Sequence, residues 1–174
     1  MLDAAPPTTY APFRGPETTI RQMIAHVRGQ RGERSIRVRS FTESIVSGLQ
    51  PKDYLGEILA IRNAVAEKVR YVNDPLTTEL SKDAERMVEE IEARGVASGD
   101  CDDIAVLIAT CARQVGREAE FVIVGFGAPN QFSHVFARVH EPKSNKWIVC
   151  DPVAGTTEAQ MLRRVKTWRA FKTD

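Results

Sequence analysis

Gly99-Asp100-Cys101-Asp102-Asp103-Ile104-Ala105-Val106-Leu107-Ile108-Ala109-Thr110-Cys111-Ala112 is the stretch that decides the reading of this chain. From Ile104 to Val115 the residues are apolar on several helical faces, and Gly116 follows as a stop. A helix that is apolar all round has to run through a core. Its first turn carries a cysteine among three aspartates. Two further blocks come later, Phe132-Ser133-His134-Val135 and Trp147-Ile148-Val149-Cys150-Asp151-Pro152. A sulfur, an imidazole and a carboxylate therefore follow one another, and a thiol nucleophile needs those three groups: attacker, base, and orienter of the base.

Around this stretch the chain divides into a helical half and a mixed half. Residues 1–15, with Pro6, Pro7, Pro12 and Gly15, read as an extended arm. Pro16 and Glu17 open a helix with the apolar set Ile20, Met23, Ile24 and Val27. A shorter helix passes through Phe41, Ile45 and Val46 and ends near Gly48 and Pro51. The pattern over 52–72 predicts a long helix, with Leu55, Ile58, Leu59, Ile61, Val65 and Val69 on its apolar face and Asp74-Pro75 as the stop. Another helix is expected over 82–94, closed by Gly95. After the buried helix the period changes to that of strands, at Ala119–Gly125, Phe132–His140 and Trp147–Asp151. Residues 157–171 read as an amphipathic basic helix. The expected organisation is an arm at 1–15, one domain at 16–156 and a basic tail at 157–174.

Composition narrows the class. A chain of 174 residues suits one domain with a proper core. The formal net charge of +1 recruits neither nucleic acid nor an anionic membrane, and no stretch approaches the ~18 apolar residues of a span. Arg28, Arg31, Arg34, Arg37 and Arg39 form a local basic run, read as a solvated helix face or connector in preference to a phosphate patch. The first residues lack the basic start and apolar centre of a signal peptide, so a cytoplasmic location with reduced thiols is the expectation. The three cysteines match no disulfide framework. Cys111 reads as a buried small hydrophobe, and strand alternation turns Cys150 to the core, away from Asp151.

Cys101 is thus the cysteine with chemistry around it. At a helix start, unpaired amides and the helix dipole are expected to lower its pKa and to offer oxyanion donors. His134, on a strand beside that helix end, would serve as base. Asp151, across a hairpin, would fix its tautomer. Each residue alone has an ordinary structural explanation, whereas their joint occurrence in this order is much less expected by chance. Zinc ligation by Cys, His and Asp is disfavoured, because no CxxC or HxxxH spacing is present. No metal and no cofactor are expected.

The blocks Gly-Asp-Cys-Asp-Asp with its Ala/Leu/Ile-rich helix, Ser-His-Val, and Trp-x-x-x-Asp-Pro resemble the transglutaminase-like superfamily. The resemblance covers about 70–152 and includes Val69-Arg70-Tyr71-Val72-Asn73-Asp74-Pro75; it is nearest to small bacterial and prophage-encoded members. It implies an α+β, papain-like fold: a helical N-terminal half and a buried nucleophile helix packed on a small antiparallel sheet. It also implies Cys101 as nucleophile, His134 as general base and then acid, and Asp151 as orienter. Many crosslinking members carry a tryptophan upstream of the nucleophile. Here Trp147 and Trp168 both follow it, and Tyr71 is the nearest upstream aromatic. Tyr71, Asp102 and Ser133 are the candidates for oxyanion or substrate contacts. No calcium-loop pattern is present, so calcium dependence is not implied. The activity implied is acyl transfer on amide bonds of a peptide or protein through a thioester, with hydrolysis favoured in a chain this short. The alternative is a phage virion or assembly module that binds other phage structural proteins with an idle triad, and a virion location would go with it.

Overall fold

Local chemistry marks most element boundaries. Ser35, Asp53, Asp83 and Asp100 each precede a helix and accept a backbone N–H of its first turn, Pro16 starts another, and Gly95 ends one in the left-handed conformation (φ 77°). The computed structural model describes residues 8–11, 15–73, 79–152 and 158–174. In chain order these form β1 (Thr8–Ala11), α1 (Pro16–Arg28), α2 (Ile36–Val46), α3 (Tyr54–Lys68), β2 (Val69–Tyr71), β3 (Glu79–Lys82), α4 (Ala84–Arg94) and β4 (Ala97–Gly99). Then follow α5 (Cys101–Gln114), β5 (Ala119–Gly125), β6 (His134–Glu141), β7 (Lys146–Cys150), α6 (Glu158–Arg164) and β8 (Thr167–Lys172).

The helix read as buried is α5. Every residue from Asp102 to Ala112 is buried, including Cys111, and Thr110 returns its hydroxyl to the Val106 carbonyl at 2.7 Å. Helices α1 to α4 pack around it, and one face of a four-stranded antiparallel sheet closes the remaining side. The sheet order is β7-β6-β5-β8. On β6, Val135, Ala137 and Val139 join the α5 core, while Phe136 joins a second apolar cluster with Val122, Val124 and Met161 on the outer face. Cys150 lies in the α5 core, on the side its alternation implies. Two small pairs complete the fold, β1 antiparallel to β3 and β2 parallel to β4.

Two sequence expectations are corrected. The helix expected over 52–72 ends at Lys68, because Val69–Tyr71 pairs with Ala97–Gly99 as a strand; Leu55, placed on its apolar face, is 44 % exposed. The segment 157–171 is not one helix. Its second half is β8, which pairs along β5 from Glu120 to Gly125 and so covers a sheet edge that would otherwise present bare backbone groups. Within the arm, Thr8–Ala11 is a strand; residues 1–7 and 12–14, like Asp74 and Pro75, lie outside the described residues.

Part of the basic run is internally engaged. Arg31 reaches Asp83, Glu85 and Glu89 at 2.9, 3.0 and 3.1 Å, and Arg37 reaches Glu92 at 2.7 Å, so these arginines tie the α1–α2 region to α4. No helix among the described residues is long and apolar enough to cross a membrane.

The join between β4 and α5 is tight. Asp103 Oδ1 accepts the Lys82 N–H at 2.7 Å, tying β3 to the first turn of α5. A Cβ on Gly99 would meet Asp103 Cβ at 2.8 Å, a clash that no side-chain rotation relieves. Gly99→Ala should therefore destabilise the fold by about 1–3 kcal/mol, as overpacking does. The check is a shifted urea midpoint at unchanged slope.

Candidate active site

The site grows from the start of α5. Strand β4 feeds directly into it, and the Gly99 carbonyl accepts the Val72 N–H at 2.9 Å, which anchors the turn. The Asp100 side chain then accepts the Asp102 N–H at 3.3 Å, and its carbonyl accepts the Ile104 N–H at 3.1 Å. Cys101 thus occupies the first helical position, where the buried helix emerges into a cleft.

The partners come from the β6–β7 hairpin. His134 is the first residue of β6 and lies opposite Val124; Asp151 directly follows the last residue of β7. The β6–β7 register ends at Ala137 opposite Cys150, so both side chains sit at the same end of the hairpin. His134 Nε2 and Asp151 Oδ2 are 2.7 Å apart, with side chains 12 % and 1 % exposed. An ionised carboxylate only accepts, so in the neutral imidazole paired with it Nε2 donates and Nδ1 carries the lone pair.

Cys101 and His134 line one cleft of about 190 Å³. Asp100, Asp102, Ser133 and Val135 line it as well, and α1 contributes Pro16, Thr19, Ile20 and Met23. The backbone N–H of Val135, the residue after His134, acts on the Cys101 thiol and lowers its pKa. This amide lies beyond the end of the β7 ladder.

The ionisation of Cys101 departs from the expectation of a lowered pKa. Burial acts most strongly on the thiol and pushes it up. The Asp100 charge adds to this, the Val135 N–H opposes it, Asp102 adds again, and the cysteine's own N–H opposes weakly; the result is a thiol pushed up to about 12. The aspartates that cap and start α5 offset the positive helix end that would have favoured a thiolate.

Tyr71 is not among the cleft-lining residues. It stands opposite Gly99 in the β2–β4 pair, 43 % exposed. Asp102 is buried and Ser133 exposed, and both line the cleft. Carboxylate oxygens of Asp100, Asp102 and Asp103 lie within 4.8 Å of one another. Asp100 and Asp103 each use one oxygen on a backbone N–H, which accounts for their presence as capping and tethering groups. Two features have no counterpart in the sequence reading. The Val135 amide is a backbone group without a side-chain signature, and the α1 wall uses Ile20 and Met23, which read as ordinary core.

Comparison with known proteins agrees with this architecture. No curated protein sequence matches the chain. Among solved structures, the crystal structure of a "Putative Cysteine Protease from Cytophaga hutchinsonii" superposes over 95 % of this chain with a TM-score of 0.53 at 16 % identity. The chain spans only 53 % of that protein's length, so the likeness concerns the fold. Residues 39–152, which contain α5, the hairpin and all three expected groups, match the sequence model of one family. The chain belongs to the transglutaminase-like superfamily.

Proposed function

We propose that this chain is a cysteine-dependent acyl-transfer enzyme that cleaves amide bonds by hydrolysis. The observation that carries the proposal is the 2.7 Å contact of Asp151 with His134, which lines the same cleft as Cys101. Because burial and the Asp100 and Asp102 charges raise the pKa of the thiol, attack is coupled to proton transfer. His134 Nδ1 takes the Sγ proton as the sulfur adds to the amide carbonyl carbon, and Asp151 stabilises the imidazolium that forms. The developing oxyanion is met by the Cys101 N–H at the start of α5. Collapse breaks the C–N bond, the imidazolium protonates the leaving amine, and a thioester remains. Water then gives a proton to His134 and attacks the thioester; the C–S bond breaks, the thiol regains its proton, and a carboxylic acid leaves. A cleft of about 190 Å³ favours water over a second bulky amine as the acceptor.

A raised thiol pKa also fits a second reading, an interaction module with an idle triad. Burial and the Asp100 and Asp102 charges act against a thiolate. Turnover separates the two. In an assay of small peptide amides with intact-mass detection of the acyl-enzyme, Cys101→Ala should abolish both turnover and adduct. His134→Ala should lower kcat/KM by about 10²–10⁴-fold, the range for loss of a general base. An active wild type unaffected by either substitution would sink the proposal.

The ionisation of Cys101 yields a separate prediction. Cys111 and Cys150 are buried, so iodoacetamide labelling of the folded protein reports on Cys101. Its pH–rate curve should inflect above the ordinary thiol value of about 8.5. Asp100→Asn keeps a capping side chain but removes a like charge, so it should move the inflection to lower pH and speed labelling at neutral pH. A wild-type inflection below 8.5 would mean that the helix dipole outweighs burial and the aspartates.

A further inference from the structure

The sheet has a second concave surface, on the face turned away from α5. Val122, Val124, Phe136 and Val149 form its floor, and α6 and β8 border it with Leu162 and Trp168. The groove holds about 370 Å³, against about 190 Å³ for the cleft at Cys101. That volume falls within the roughly 300–1,000 Å³ of sites that enclose a ligand group. The Arg138 guanidinium lies over two of its indoles, 5.0 Å from the Trp147 centroid and 5.7 Å from that of Trp168. Arg138 Nε also donates to Glu120 Oε2 at 2.7 Å, so the aromatic walls are set before anything binds. Even so, Trp168 is 58 % exposed and Leu162 46 %, which leaves large apolar surface facing water beside the groove.

The charge around this surface is one-sided. Residues 163–172, which end α6 and form β8, hold five cations and no acid. Arg169 pairs with Glu17. Arg163, Arg164, Lys166 and Lys172 are exposed and have no carboxylate partner among the described residues, whereas Arg31, Arg37 and Arg113 of the helical half are all paired. Arg163 and Arg164 adjoin Leu162 in the last turn of α6. Lys172 stands on the same side of β8 as Trp168, opposite Glu120. Both α6 and β8 lie outside the family-matched span of 39–152.

We infer that this groove docks an acidic segment of a partner protein. One large apolar side chain of the partner enters beside Trp168 and Leu162, and carboxylates flanking it meet Arg163, Arg164, Lys166 and Lys172. A preformed aromatic pocket is where an interface concentrates its energy, and a charged rim selects the sign of the partner. Nucleic acid would also complement the charge. However, the aliphatic floor offers a base edge no polar partner except Arg138, which is engaged with Glu120. An anionic membrane takes protruding apolar anchors, and here the apolar surface leads into a concavity. The groove faces away from α5, so the inference does not depend on the chemistry of Cys101.

The test selects binders from a displayed library of random short peptides on the immobilised wild-type protein. One enriched peptide, fluorescein-labelled, is then measured by anisotropy. Enriched sequences should carry aspartate or glutamate on both sides of a leucine, phenylalanine or tryptophan, and binding should weaken as salt rises. Trp168→Ala should weaken it about fivefold or more, as loss of an anchor contact does. The Arg163→Glu/Lys166→Glu double variant should weaken it at low salt and flatten its salt dependence. These substitutions fall on exposed side chains, and a urea midpoint near that of wild type shows that the variants fold. Enrichment without acidic residues overturns the inference, as does an enriched peptide that binds wild type and Trp168→Ala alike. Saturable binding of oligothymidylate or of phosphatidylserine vesicles, with no peptide enriched, would also overturn it and assign the surface to nucleic acid or to a membrane.

Discussion

The structure depends on the enclosure of α5. From Ile104 to Ala112 it presents apolar side chains in every direction, so no single surface can satisfy it, and four helices and a sheet are required around it. An enclosed helix can meet solvent only at its ends. Here the N-terminal end opens into the cleft, and Cys101 is the residue at that transition. The β6–β7 hairpin reaches the same place because β6 is the strand most closely packed on α5. Its inward residues Val135, Ala137 and Val139 are part of the helix's own core.

The same enclosure creates a conflict at the cysteine. Starting a helix from a buried position calls for side chains that satisfy its first amides, and Asp100 does this; Asp103 goes further and ties the first turn to β3 through Lys82. Each carboxylate that steadies the helix start also opposes a thiolate beside it. The sites where local preferences collide are commonly the functional ones. In the proposed mechanism the conflict is resolved by His134, which removes the proton only as the new bond forms.

The long elements were legible in the sequence because their signals are local. α1, α4 and α5 follow from apolar spacing bounded by Pro16, Gly95 and Gly116, and β5 was readable from its run of Phe, Val and Ile. The short strands were not. Val69–Tyr71 continues the apolar period of α3 without a break, and only pairing with Ala97–Gly99 makes it a strand. Thr167–Lys172 carries a basic, amphipathic pattern that fits a helix equally well, and the free edge of β5 decides otherwise. Strands of three to six residues gain their stability from partners distant in sequence, so a local window contains too little of the cause.

By itself, the sequence determined the buried helix, the order of Cys101, His134 and Asp151, and the sheet hairpin that brings the last two to one end. Periodicity and strand alternation are properties of neighbouring residues. Only the tertiary structure decided the surroundings that raise the pKa of Cys101 and the α1 wall of the cleft. A charge is set by everything within a few ångströms of it, including a backbone amide 34 positions away and the depth of burial. No local pattern in the chain records those distances.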